Sequence, residues 1–142
     1  MKREDMKNTP RKTILNPPDA PPLFRPYYSE SVRAVGPLLF IAGQVSFDKQ
    51  GKVVGKGDIK RQTTQALENL KTVLAAHGAT LDDLVKMTVY VTNIDLLDEI
   101  AEVRNKYFPK NGPTSAIVEV SRLALPDLMI EFETIAVVSP VS

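Results

Sequence analysis

Two stretches of this chain, Leu38-Leu39-Phe40-Ile41 and residues 135–138 (IAVV), are apolar at consecutive positions. Successive side chains of a strand point to opposite faces, so runs of this kind belong to strands buried on both sides. A sheet with one wet face alternates apolar and polar instead. Such a sheet needs a cover on each face, yet only two segments have the periodicity of a covering helix. Short right-handed crossovers put both helices on the same side. The second face is therefore left bare within the chain. The simplest cover is another copy of the same protein, and a homo-oligomer with its bare faces turned inward is expected. A loop or the N-terminal arm lying over that face is the alternative.

The first helical segment is GDIKRQTTQALENLKTVLAAHG, where Ile59, Ala66, Leu67, Leu70, Val73 and Leu74 form one stripe. Asp58 is placed to cap its start and Gly78 to follow its end, which predicts a helix over about 59–77. In NIDLLDEIAEVRNKYF the stripe is Leu96, Ile100, Val103 and Tyr107, with Asp95 near the cap and Pro109 just beyond. YYSESVRAV and LLFIAGQV are predicted strands separated by a Gly36-Pro37 turn, and Val53-Val54 follows a turn at Gln50-Gly51. VKMTVYV (85–91), SAIVEV and MIEFETIAVV complete the set. The order is β-β-(β)-α-β-α-β-β, an α/β or α+β domain with crossover helices over one sheet. Residues 1–22 hold five prolines and a cluster of charges. We read 1–12 as disordered and 13–24 as an extended lead-in, so that 1–23 is an arm and 24–142 the domain.

Composition narrows the chemistry. Eighteen basic and seventeen acidic residues leave a net charge of +1, whereas a dedicated nucleic-acid binder carries a basic excess. Cysteine is absent, which excludes disulfides, thiolate catalysis and zinc–thiolate sites. No apolar run reaches the length of a membrane span, and no signal region follows the charged N-terminus. A cytosolic protein without membrane or nucleic-acid partners is the expectation.

Glu131 and Glu133 stand two apart in the last strand and so share a face. Burial of either carboxyl would raise its pKa toward the range useful for holding or polarising a water; two solvent-facing edge residues are the plain alternative. His77 is the only histidine, at a helix end where the dipole favours it, and a His-based metal site has no second imidazole. Ser115 lacks the G-x-S-x-G elbow of a hydrolase nucleophile. Arg104 and Lys106 are most simply the solvated face of the second helix.

Three longer runs carry more than periodicity: SVRAVGPLLFIAGQVSFDKQGKVVG, QTTQALENLKTVLAAHGATLDDLVKMTVYVTNI and GPTSAIVEVSRLALPDLMIEFETIAVV. With a strand ending in -GQ, the LVKMTVYV segment and a closing E-x-E-x-I-A, the chain resembles the Rid (reactive intermediate deaminase, YjgF-like) family over about residues 24–139. The resemblance implies a chorismate-mutase-like α+β fold with two helices on one face of a mixed sheet. It further implies a barrel-like homotrimer whose small-molecule sites lie in clefts between subunits. The activity implied is hydrolysis of 2-imino acids or 2-aminoacrylate to 2-keto acids and ammonia, without cofactor or metal.

Position by position, the resemblance implies that Tyr28 is a site tyrosine and Gly43 the glycine of the -GQ strand end. Glu131 becomes the glutamate that holds the attacking water. The family grips the substrate carboxylate with an arginine two residues after a proline; here Pro113 is followed by Thr114 and Ser115, so that arginine is missing. Ala42 stands where many members have serine, and Arg104 where many have asparagine. These departures resemble an Arg-lacking branch. Hydrogen bonds to charged groups are worth roughly 1.5–3 kcal/mol, and losing one at a transition state costs about 10–100-fold in rate. Weak or altered activity on 2-imino acids follows, with Ser115 and backbone donors near Gly43 and Ile117 left to position the substrate. Arg104 or Arg122 would have to replace the cation; otherwise Ser115→Arg should restore about tenfold. A metabolite-binding or sensing trimer without turnover is the alternative. Ribonuclease or translation-inhibitor activity is a third reading, opposed by the neutral charge and the single histidine.

Overall fold

The computed structural model describes residues 11–140. Of the disorder expected for residues 1–12, positions 1–10 lie outside the described residues, whereas Lys12 is already part of a paired strand. Asp58 accepts a hydrogen bond from the Arg61 backbone N–H and starts helix α1, Ile59–Ala75, which ends two residues before the predicted limit. The chain leaves α1 through Gly78, whose φ of +66° explains the glycine, while the Ala79 N–H donates to the Leu74 carbonyl. Helix α2 spans Leu97–Tyr107 and is preceded by a 3₁₀ turn, Ile94–Leu96. The capping side chain there is Asn93, which accepts from the Asp95 N–H, and not Asp95 itself.

The strands are β1 (Lys12–Leu15), β2 (Ser31–Ala34), β3 (Leu38–Gln44), β4 (Leu84–Val91), β5 (Thr114–Glu119) and β6 (Ile130–Val137). Part of the expected lead-in is thus a paired strand, since β1 lies antiparallel to β2. Of the segment expected as one strand over YYSESVRAV, only Ser31–Ala34 is extended and paired. Val53-Val54 forms no strand and reaches only a single bridge, between Phe47 and Val53. The extra strand of the β-β-β-α-β-α-β-β order therefore lies at the start of the chain, not before α1.

The main sheet runs β3-β6-β4-β5, with β4 and β5 parallel and the other pairs antiparallel, so β3 and β5 are its edges. Both helices bury their apolar stripes on one face. Leu67, Leu70, Leu74, Ile100 and Val103 meet Met87, Val89, Val91, Ile130 and Phe132 in a single core. Among the described residues no helix covers the other face, and much of its apolar surface is open: Phe40 is 72% exposed, Leu38 53% and Val118 43%, although Val137 beside Leu38 is buried. No helix among the described residues is long and apolar enough to cross a membrane.

Candidate functional site

Strand parity divides the candidate residues into two groups. Glu131 is the register partner of Tyr90, and Ser115 is the register partner of Met87. Tyr90 and Met87 are three positions apart on β4, so they point to opposite faces and are separated by roughly 10 Å along the strand. Glu131 therefore belongs to the bare face and Ser115 to the helix face. One protomer does not bring them together.

On the bare face, Glu131 lies directly against Gly43. A Cβ at position 43 would sit 2.6 Å from both Cδ and Oε2 of the glutamate. Gly43 falls inside the irregularity between Ile41 and Gln44, where the β3–β6 register shifts. The glycine is needed for close approach, because its φ is not in the left-handed region. Glu131 is half-buried, and that burial, with the Glu133 charge second, raises its carboxyl pKa above the ordinary value. Tyr90 donates a long 3.4 Å hydrogen bond to Glu133, whose charge is the main cause of the raised Tyr90 pKa. Glu131, Glu133, Tyr90 and the exposed Arg122 line one open concavity of about 380 Å³.

On the helix face, Arg104 is fully buried and not on the solvated side of α2, whereas its neighbour Lys106 is exposed. Its NH2 donates to Ser115 Oγ at 2.9 Å and to Met87 Sδ at 3.3 Å. Its guanidinium carbon lies 3.9 Å from the centroid of the Tyr27 ring, a stacked contact, and neither remaining nitrogen bonds the phenol. Burial lowers its pKa to about 10, with Tyr27 opposing the shift, so the group stays cationic at neutral pH. Ile117, two residues beyond Ser115, lies half-buried against the same core.

Tyr28 sits at the edge of this second group. Its hydroxyl accepts from the Phe24 N–H at 3.0 Å, and its ring centroid is 6.1 Å from that of Tyr27. The segment is fastened by Ser29, which donates through Oγ to the Gly112 carbonyl and through its backbone N–H to that of Pro113. Gly112 is required here, because a Cβ would lie 2.0 Å from the Tyr27 carbonyl oxygen. His77 is exposed at the end of α1 and belongs to neither group. Tyr27, Met87 and Tyr90 were not legible as site residues. The alternation of VKMTVYV beside MIEFETIAVV is the one signal that could have placed Tyr90 near the glutamates.

Comparison with known proteins adds four findings. The family model described as Endoribonuclease L-PSP matches residues 19–138. A RutC family protein of Pyrococcus horikoshii is 44% identical over 126 residues, covering 88% of this chain and 97% of the relative. A 2-iminobutanoate/2-iminopropanoate deaminase of Dermatophagoides farinae is 30% identical over 127 residues, covering 89% of this chain and 97% of the relative. The solved structure of a Rid-family protein from Yersinia pestis aligns with a TM-score of 0.83 at 34% identity, covering 90% of this chain and 99% of that one.

Proposed function

The chain belongs to the Endoribonuclease L-PSP family, to which the Rid and YjgF-like proteins belong, and from that premise we propose that it hydrolyses a small imine or enamine to a carbonyl compound and ammonia. The observation that carries this reading is the Glu131 carboxyl, half-buried against the backbone of Gly43 with its pKa raised. A carboxylate held there can orient a water and take its proton, as general-base chemistry requires. The water oxygen bonds to the imine carbon, and the proton passes through Glu131 to the nitrogen. The resulting amino alcohol collapses with loss of ammonia, leaving the carbonyl. An enamine enters the same sequence after protonation at its β-carbon.

A complete site then draws on two protomers. One supplies Gly43 and Glu131 from its β3 side; the other supplies Tyr28, Arg104, Ser115 and Ile117 from its β5 edge. A barrel-like homotrimer joins these two edges and hides the bare apolar face carrying Phe40, Leu38 and Val118. Tyr28 closes the cleft, and backbone N–H groups near Gly43 and Ile117 hold the substrate.

Purified protein mixed with 2-iminobutanoate, generated in place by a pyridoxal-phosphate lyase, tests the reading through release of 2-oxobutanoate. Acceleration over buffer that falls at least about 100-fold in Glu131→Gln is expected. No acceleration for any member of a panel that includes neutral imines overturns it.

A further inference from the structure

The concavity that holds Glu131 contains one more carboxyl than the water chemistry uses. Glu133 lies two residues on in β6, projects from the same face and lines the same space of about 380 Å³. Among the described residues no cation pairs with it. Lys86, on the same face of β4, donates through Nζ to Thr88 Oγ1 at 3.1 Å, and the exposed Arg122 forms no ion pair. The one hydrogen bond to the Glu133 carboxyl comes from the Tyr90 hydroxyl at 3.4 Å. Tyr90, however, is the register partner of Glu131, while Glu133 faces Thr88. The Tyr90 ring therefore runs obliquely along the span between the two carboxyls. That span is two residues of strand, about 6.4–6.8 Å. Carboxyl pairs about 6.5–9.5 Å apart leave room for a water and the bond it attacks, as in sugar hydrolases that invert configuration. Such a spacing puts the water at Glu131 and the nitrogen at Glu133.

We propose that Glu133 binds the substrate nitrogen in its protonated, iminium form, with Tyr90 as the positioning residue that fixes the Glu133 carboxylate between the strands. The inference rests on the hydrolytic reading for the reaction and adds to it the charge state of the substrate, a small imine presented as a cation. Its apolar tail rests on Val120 and Leu123 of the same concavity. The iminium N–H groups donate to Glu133, which keeps the nitrogen protonated and the carbon electrophilic. Glu131 takes a proton from the water as the O–C bond forms and the C=N π pair moves onto nitrogen. That proton passes to the nitrogen and restores a cation beside Glu133. Glu131 then takes the hydroxyl proton as C=O forms and the C–N pair leaves with ammonia, which carries that proton away as ammonium. Tyr90 remains a donor throughout, because the Glu133 charge holds its hydroxyl pKa above the ordinary value.

The test uses the full-length protein labelled with ¹³C-tyrosine. The chain has four tyrosines, so the signal lost in Tyr90→Phe assigns Tyr90. Titration with propionamidine, a planar cation shaped like an iminium, is expected to shift the Tyr90 signal saturably. Propionamide, its neutral isostere, should leave that signal in place and bind at least tenfold more weakly by calorimetry. Glu133→Gln should erase the tenfold preference and raise KM for 2-iminobutanoate at least tenfold. Tyr90→Phe keeps the ring and should weaken the amidine while leaving the amide unchanged. A Tyr90 signal unmoved by saturating amidine, equal binding of amidine and amide, or an amidine preference that survives Glu133→Gln overturns the proposal. An equal shift with sodium chloride at the same ionic strength overturns it too. Keto acid release with an unmoved Tyr90 signal removes this inference and leaves the hydrolysis standing. An amidine shift that Glu133→Gln abolishes, in a protein without turnover, keeps the cation site and removes the hydrolysis.

Discussion

Replacing Gly43 by alanine places a methyl carbon 2.6 Å from Cδ and Oε2 of Glu131 and 2.9 Å from its Cγ. Carbon–carbon contacts are comfortable at about 3.5–4.0 Å, so the glutamate tip must retreat by about 1 Å. The obstructing atoms belong to the end of a flexible side chain on the bare face, so the retreat costs the fold about as much as an off-rotamer torsion, 0.5–1.5 kcal/mol. For the chemistry, misplacement of a reacting group by 1 Å costs on the order of 100-fold, or about 2.7 kcal/mol in the barrier. Gly43→Ala should therefore lose about 100-fold in keto acid release with 2-iminobutanoate while its melting temperature falls by only a few degrees. Gly112→Ala is the contrasting control. Its Cβ would meet the Tyr27 backbone oxygen at 2.0 Å, and backbone cannot swing aside, so this variant should fail to fold stably. A folded Gly43→Ala protein that keeps its turnover within threefold of wild type refutes the assignment of Glu131 to the water.

Glu131 also sets a pH dependence. Its folded pKa is raised by burial, so its contribution to stability is fully present below the unfolded pKa and is lost as pH rises through the folded value. Glu131→Gln should then be more stable than wild type at neutral pH, with the advantage gone below about pH 4, as read from urea midpoints at the two pH values; a variant less stable at pH 7 contradicts this. Turnover should rise with pH through the same raised pKa. In the proposed assembly Phe40→Glu would bury an unpaired carboxylate between protomers, which is prohibitive, so the variant should sediment as a folded protomer where the wild type sediments as an oligomer. A wild-type chain that sediments as a folded protomer at micromolar concentration overturns the proposed assembly. Ser115→Arg would set a second guanidinium against Arg104 NH2, now 2.9 Å from Ser115 Oγ. Like charges at that range repel, so the single variant should melt lower and gain no turnover, contrary to what the sequence alone suggests. Arg104→Ala/Ser115→Arg, with one guanidinium returned to the strand, should recover turnover to within about tenfold of wild type. A single Ser115→Arg variant that outperforms wild type tenfold shows that Arg104 does not serve the site.

Periodicity and local chemistry were enough to place both helices, because their stripes repeat at 3.6 residues and Asp58 and Gly78 punctuate α1. The consecutive apolar residues at 38–41 and 135–138 were likewise enough to announce a sheet with a second face to cover, since that pattern depends only on which way successive side chains point. Pairing is a different matter. That Lys12–Leu15 would find Ser31–Ala34, across a proline-rich stretch, depends on where the chain turns in space and not on any local preference. The division of the candidate site was hidden for the same reason. Whether Glu131 and Ser115 share a face is decided by the register that each strand adopts against β4, and a shift of one residue would reverse it. Arg104 shows the limit most sharply. In the sequence it is one more charge on an amphipathic helix; only the packing of α2 over Met87 and Ser115, under the ring of Tyr27, makes it a buried cation with donors to spare.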